Sequence, residues 1–387
     1  MKRISLFFLT ISLLASSCNR GKDGEQLLKI PFAQAVDKAE DFPLSHLALS
    51  LEYVPLETID SSLISHIQSV RATKDFFFVR DIKGLLQFDR HGKFLRRIGS
   101  QGKGPGQYTF LKAVAVNEKA GLLYLYVYMQ QKALVYDFKG NFLREIPVPD
   151  NHGLRLLNDS ILTAVLSDRS GGMGAGGLEL ANLQGKTLKK FPCEDAHTQK
   201  HGDAFLEMVG FTTQLYRFGG NLFYKYGYGD TVCQVTPKAL LPRYVVEAGK
   251  YALPPELRYD MMNGDAERFS KETSQYMRMG FMEFTDYVLM PYTGWGNLFG
   301  TEPFRLAVYN KKTGNCFSVK GDTLPNDMDH LQPFYPDLAI DDNSALMICP
   351  AAKLFARIQK LPKNRVPPVL QKLKEDDNPI LLLVHLK

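Results

Sequence analysis

Between Gly84 and Ile146 the chain alternates short apolar runs with polar punctuation. "LLQF" and "FLRRI" flank an Asp89-x-x-Gly92 step, and "AVAVNEKAGLLYLYVY", Ala113 to Tyr128, divides into two apolar stretches at a polar break from Asn117 to Gly121. Runs of this length, rich in aromatic and branched residues and bounded by Gly, Asn and Asp, predict β-strands joined by tight turns. In Asp-x-x-Gly the aspartate bonds its own backbone, and the glycine takes a left-handed position that a Cβ resists. Two such hairpins in succession make a four-stranded antiparallel unit.

The unit repeats. "FDRHGKFLRRI" (Phe88 to Ile98) aligns with "YDFKGNFLREI" (Tyr136 to Ile146) at an offset of 48, and a fainter copy, "ANLQGKTLKKF", follows at an offset of 45. "DTVCQVTP" and "LAVYNKKTGNCFSV" (Leu306 to Val319) read as fourth and fifth copies. A period of about 40 to 50 residues is the size of one propeller blade. This frame also places the glycine run "GSQGKGPGQY". Its spacing fits neither a Walker loop nor a dinucleotide fingerprint, and a strand rather than a helix follows it, so it predicts a connector between blades.

On these residues the chain resembles the NHL-type repeat, and as a whole the six-bladed β-propeller lipoproteins of Bacteroides-like gut bacteria. "LEYVPLET" (Leu51 to Thr58), "GDTVCQVTPKALLPRYVVEAGKYALP" (Gly229 to Pro254) and "LKEDDNPILLLVHLK" (Leu373 to Lys387) extend the likeness from about Leu49 to the C-terminus. The resemblance implies an all-β fold of six four-stranded antiparallel blades and an extracytoplasmic address. It implies no catalytic residues. Six blades over residues 49–387 leave about 56 residues each, more than the observed period, so insertions are required. The segment at about 254–278, with prolines at a helix start and a break at Asn263-Gly264, predicts a small helical insertion. Because open sheet edges invite aggregation, "LEYVPLE" is expected to pair with "NPILLLVHLK" and close the ring with strands from both termini.

The N-terminus has a different pattern. Lys2 and Arg3 precede an apolar run from Ile4 to Ala15 that is too short for a mature membrane span, followed by Ala15-Ser16-Ser17-Cys18. This reads as a signal peptide over residues 1–17, with Cys18 the lipidated first residue of the mature chain. Acyl chains there would hold the protein on a membrane, and the expected location is the cell envelope, on the outer membrane. Residues 18–48 read as a lipid-anchored tether and lead-in to the propeller at 49–387. The formal charge of +6, reduced to +4 when Lys2 and Arg3 leave, is scattered along the chain and excludes a nucleic-acid partner. Cys193, Cys233, Cys316 and Cys349 are widely spaced with no C-x-x-C pair, which favours buried thiols over zinc ligation.

Candidate chemistry is sparse. Trp295, the sole tryptophan, lies between Gly294 and Gly296 with Tyr292 and Phe299 nearby, a mixture suited to a ligand-binding surface; the competing reading has Trp295 filling space between two blades. Asp327, Asp329 and His330 are weak metal candidates, with oxygen spacing like a calcium loop but lacking its glycine and distal glutamate. His197 and His201 stand four apart in a segment without an apolar face, and "GGMGAGG", Gly171 to Gly177, lacks phosphate-loop spacing. No cofactor is expected, calcium being the one candidate. No nucleophile elbow or H-E-x-x-H helix is present. The resulting expectation is a membrane-anchored binding or scaffold propeller for a glycan, peptide or protein. The alternatives are a metal-dependent hydrolase or lyase with its site in the central channel, and a purely structural envelope subunit.

Overall fold

The computed structural model describes residues 27–128, 130–149, 151–167, 175–192, 213–257, 266–297, 300 and 302–387. Within them the chain is mostly strand, arranged as six four-stranded antiparallel blades in a ring. From inner to outer strand, blade one comprises Ile67–Ala72, Phe76–Asp81, Gly84–Asp89 and Phe94–Ile98. Blade two comprises Leu111–Asn117, Leu122–Val127, Lys132–Asp137 and Phe142–Pro147, and blade three Asn151–Asn158, Ile161–Ser167, Ala175–Asn182 and Thr187–Phe191. Blade four runs from Gln214–Phe218 to Leu240–Val246. Blade five begins with an inner strand in two pieces, Met277–Met279 and Met282–Glu283, which both pair with Tyr287–Gly294.

Blade six is built from both ends of the chain. Its two inner strands, Leu338–Asp341 and Ser344–Cys349, are followed by the C-terminal strand Ile380–Leu386, and Ala48–Pro55 supplies the outer strand. The closing register pairs Leu382 with Tyr53 and Leu383 with Glu52. Asn378 secures the corner, since its amide donates to the carbonyls of Glu57 and Ser62 at 2.8 and 3.0 Å and its oxygen accepts from the Ile64 N–H at 2.9 Å.

The repeated Asp-x-x-Gly steps are the turns between the third and outer strands. One side-chain oxygen of Asp89 accepts from the N–H groups of His91 and Lys93, Asp137 and Asn182 make the matching pairs in blades two and three, and in the longer turn of blade five Asn310 accepts from Lys312 and Thr313. The glycines are not equivalent. Gly92 has φ +84°, and a Cβ there would lie 2.1 Å from the Pro55 carbonyl oxygen on the closing strand, whereas at Gly140, φ +88°, the nearest atom would be Arg96 Cδ at 3.3 Å. Left-handed strain alone costs about 1–2 kcal/mol. Gly140→Ala is therefore expected to destabilise by about that amount, and Gly92→Ala by clearly more, in urea unfolding; equal losses would remove the close approach as a cause.

The glycine run after blade one forms a short connector, with Ser100–Gln101 pairing in parallel with Gln107–Tyr108 before the chain enters the inner strand of blade two. Between blades, large aromatics fill the core: Phe77, Phe78, Tyr124, Tyr126 and Phe223 are all buried.

The segment before the closing strand is itself structured. Leu28–Ile30 adds in parallel to the outer strand of blade four and Ala39–Glu40 to that of blade five, with the helix Phe32–Asp37 between them. This belt covers two outer edges. Among the described residues those of blades one to three are unpaired, and they carry Arg96, Arg97, Arg144, Lys189 and Lys190, a charge pattern that discourages strand addition. Two insertions complete the molecule. The helix Ala266–Thr273 precedes blade five, and the helix Ala351–Ile358 buries Ala351, Leu354 and Ile358 against blade six.

Candidate functional site

The inner strands of all six blades line a central cavity of about 920 Å³. Its wall is unevenly charged. Arg71 and Arg80 come from blade one, Lys112 from blade two, Arg155 from blade three and Arg217 from blade four, while Asp337, Asp341 and Asp342 all come from blade six, with Glu118 at the hairpin of blade two.

Three of the arginines fasten neighbouring blades. Arg71 Nε donates to the Val114 carbonyl at 3.3 Å, Arg80 Nη1 to that of Leu111 at 3.0 Å, and Arg217 Nη2 to that of Leu157 at 3.2 Å. Arg155 does not: among the described residues its one partner is the carbonyl of Leu154, the residue before it, at 2.9 Å. None of the four has an ion-pair partner among the described residues. Burial, and then the positive charges of Arg155 and Arg80, hold the Arg71 guanidinium well below its ordinary pKa; burial and then Arg217 bring Arg155 down to about 10. Arg155 remains cationic at neutral pH. Isolated like charges in a partly desolvated wall are unfavourable in the empty state.

The cavity acids are engaged with backbone. Asp342 accepts the Gly219 N–H on both oxygens, Asp341 accepts that of Asn343, Asp337 that of Ile348, and Glu118 that of Lys74. Burial raises the pKa of Asp337 to about 6. Behind the cavity wall, between blades four and five, Glu283 is a fully buried hub. Its Oε1 accepts from Tyr244 Oη at 2.6 Å, Lys311 Nζ at 2.8 Å and Arg243 Nη2 at 3.1 Å, and its Oε2 from Tyr216 Oη at 2.9 Å.

The residues singled out from the sequence lie elsewhere. Trp295 is 4% exposed and stacks on Tyr228, ring centroids 4.9 Å apart, beside a separate cavity of about 270 Å³ that also includes Lys225 and Arg278. Its flanking glycines serve packing: a Cβ at Gly296 would lie 2.1 Å from the Ser270 carbonyl oxygen on the helix Ala266–Thr273. Tyr292 is buried, its hydroxyl 2.7 Å from Ser318 Oγ and its ring edge-on to Phe32. Asp327 accepts from the Ser45 N–H at 2.9 Å, and Asp329 from Tyr53 Oη at 2.8 Å, so they tie the connector between blades five and six to the N-terminal segment and its closing strand; His330 beside them is exposed. No cluster of three His, Cys, Asp or Glu suited to a metal occurs among the described residues. Cys316 and Cys349 are buried thiols pushed up to about 12 by desolvation. Cys18, Cys193, His197, His201, Phe299 and residues 171–174 of the Gly171–Gly177 run lie outside the described residues.

Sequence reasoning did not find the cavity arginines. The available signal was a repeated apolar-Arg step in an inner strand, Val70-Arg71, Leu154-Arg155 and Tyr216-Arg217, each shortly before a hairpin.

Comparison with solved structures returns the same fold. A family model described as a domain of unknown function, DUF4934, matches residues 27–385. The chain belongs to the DUF4934 family. Among solved structures, a Bacteroides fragilis protein named as exported is 18% identical to this DUF4934 chain, covering 94% of it and 100% of its own length at a TM-score of 0.68. A DUF4221-family member from Bacteroides vulgatus is 11% identical, covering 88% and 97% at 0.50. Likeness at these identities shows the shared fold. No curated protein matches the DUF4934 chain in sequence. Among the described residues no helix is long and apolar enough to cross a membrane.

Proposed function

We propose that the protein is an exported binding protein of the cell envelope, anchored by lipid at Cys18, whose glycan, peptide or protein-segment ligand enters the central cavity. The observation behind this reading is the cavity itself: a volume within the range of drug-sized ligand sites, walled by strands from every blade and combining apolar surface with many polar and charged side chains. The N-terminal signal and the exported neighbour from Bacteroides fragilis support the address. The membrane is then the anchor's partner, on the outer membrane of a Bacteroides-type cell with an NHL-like propeller as the displayed part. A hydrolase or lyase at the same place would need converging ligands for a metal. The acids present are concentrated on blade six and occupied with backbone N–H groups, which favours binding.

Two variants test the proposal. Cys18→Ser is expected to move the protein from the membrane fraction to the soluble fraction. Ala339→Trp, on the cavity wall, is expected to abolish binding in a calorimetric screen of glycans and peptides while leaving the melt within a few degrees of wild type. Unaltered affinity in Ala339→Trp, or turnover of an ester or lactone with no binding across the panel, would reverse the preference.

A further inference from the structure

We infer that the cavity recognises a ligand through an oxyanion, a carboxylate or phosphate, seated against Arg155 and Arg71. The inference rests on the cavity being the ligand site and names the chemistry it selects.

Arg155 is the decisive residue. A guanidinium has five N–H donors in a planar fork that suits carboxylate and phosphate oxygens. Arg155 lines the cavity, and among the described residues only its Nη1 has a protein acceptor, its neighbour's carbonyl, so Nε and Nη2 have no partner there. Arg71 likewise uses Nε and Nη1 on the carbonyls of Val114 and Val70 and keeps Nη2 unused. The two come from blades one and three, and the positive charges of this wall raise one another's cost. Residues that only fasten blades would be placed as Arg217 is, with both Nη atoms on carbonyls of its own hairpin and the next blade. Arg155 fastens nothing. A buried-side cation with open donors and repelling neighbours is preorganised for an anion that supplies the missing charge.

The acids set the ligand's direction. Asp337, Asp341 and Asp342 on blade six, across the ring from blade three, repel an anion from that side, so its charged group is held toward Arg155, with the remainder extending across the cavity. About 920 Å³ accommodates a molecule of disaccharide or short-peptide size.

The experiment uses the full mature chain in low-salt buffer, with digalacturonate, its neutral methyl ester and inorganic phosphate as probes in titration calorimetry and thermal melts. Wild type is expected to bind at least one of the two anions and to lose affinity as salt rises. Preference for digalacturonate over phosphate assigns a carboxylate, and the reverse assigns a phosphate. Binding of the methyl ester should be at least tenfold weaker than that of digalacturonate. Arg155→Met should lose at least tenfold in anion affinity, yet melt no lower than wild type, because the substitution removes an uncompensated charge. A fall in melting temperature without an effect on binding would make Arg155 structural and overturn the inference. So would absence of binding to either anion at millimolar concentration. If a neutral ligand binds, is blocked by Ala339→Trp and is indifferent to Arg155→Met, the oxyanion inference fails while the cavity remains the binding site.

Discussion

Deleting the last ten residues, Asn378 to Lys387, is expected to leave no soluble folded protein. The deletion removes the third strand of blade six and with it five completely buried side chains, Ile380, Leu381, Leu382, Leu383 and Val384. At about 1.5–3 kcal/mol for each large apolar side chain, the loss is on the order of 10 kcal/mol. A whole domain is typically stable by only about 5–15 kcal/mol. The deletion also strips Ala48–Pro55 of its pairing partner and exposes an edge on Ser344–Cys349. Circular dichroism and gel filtration after expression test this. A cooperative melt at a normal temperature in the truncated chain would show that the ring closes by other means.

Glu283→Ala is the point substitution with the largest expected cost, about 3–5 kcal/mol in denaturant unfolding. It leaves Arg243 and Lys311 facing each other around a vacated buried position, and two tyrosine hydroxyls lose their acceptor. Most of that cost is the penalty of unpaired buried charge, so replacing all three ionic residues together, with Glu283→Leu, Arg243→Met and Lys311→Met, should recover a substantial part of it. If the triple variant is no more stable than Glu283→Ala, the loss comes from the tyrosine bonds and packing instead.

The frame of the fold was legible because its signals are local. An Asp-x-x-Gly turn announces itself within four residues, and its recurrence at offsets of 48 and 45 counts out blades without any long-range information. Closure was legible for a different reason: an edge left open is costly in any ring, and the termini held the two unassigned apolar strands. The helix Ala351–Ile358 escaped notice because "AAKLFARI" sits between two blade-six strands with no repeat to bracket it.

The candidate site was far less visible. Arg71, Arg155 and Arg217 are ordinary strand residues, each beside an apolar neighbour, and only the ring brings them to one wall. Trp295 drew attention by composition, and the glycines on either side, which look like a loop, are the clearance needed for a helix to cross. Asp327 and Asp329 drew attention by ligand-like spacing, and the structure spends both on holding the N-terminal segment.

The N-terminal belt has a mechanical corollary. Tension at its upstream end meets first the three residue pairs joining Leu28–Ile30 to blade four, then the two at Ala39–Glu40, and only afterwards the seven that close blade six. Short attachments at the periphery therefore yield and re-form before the seam is loaded, so a pull on this end leaves the ring closed.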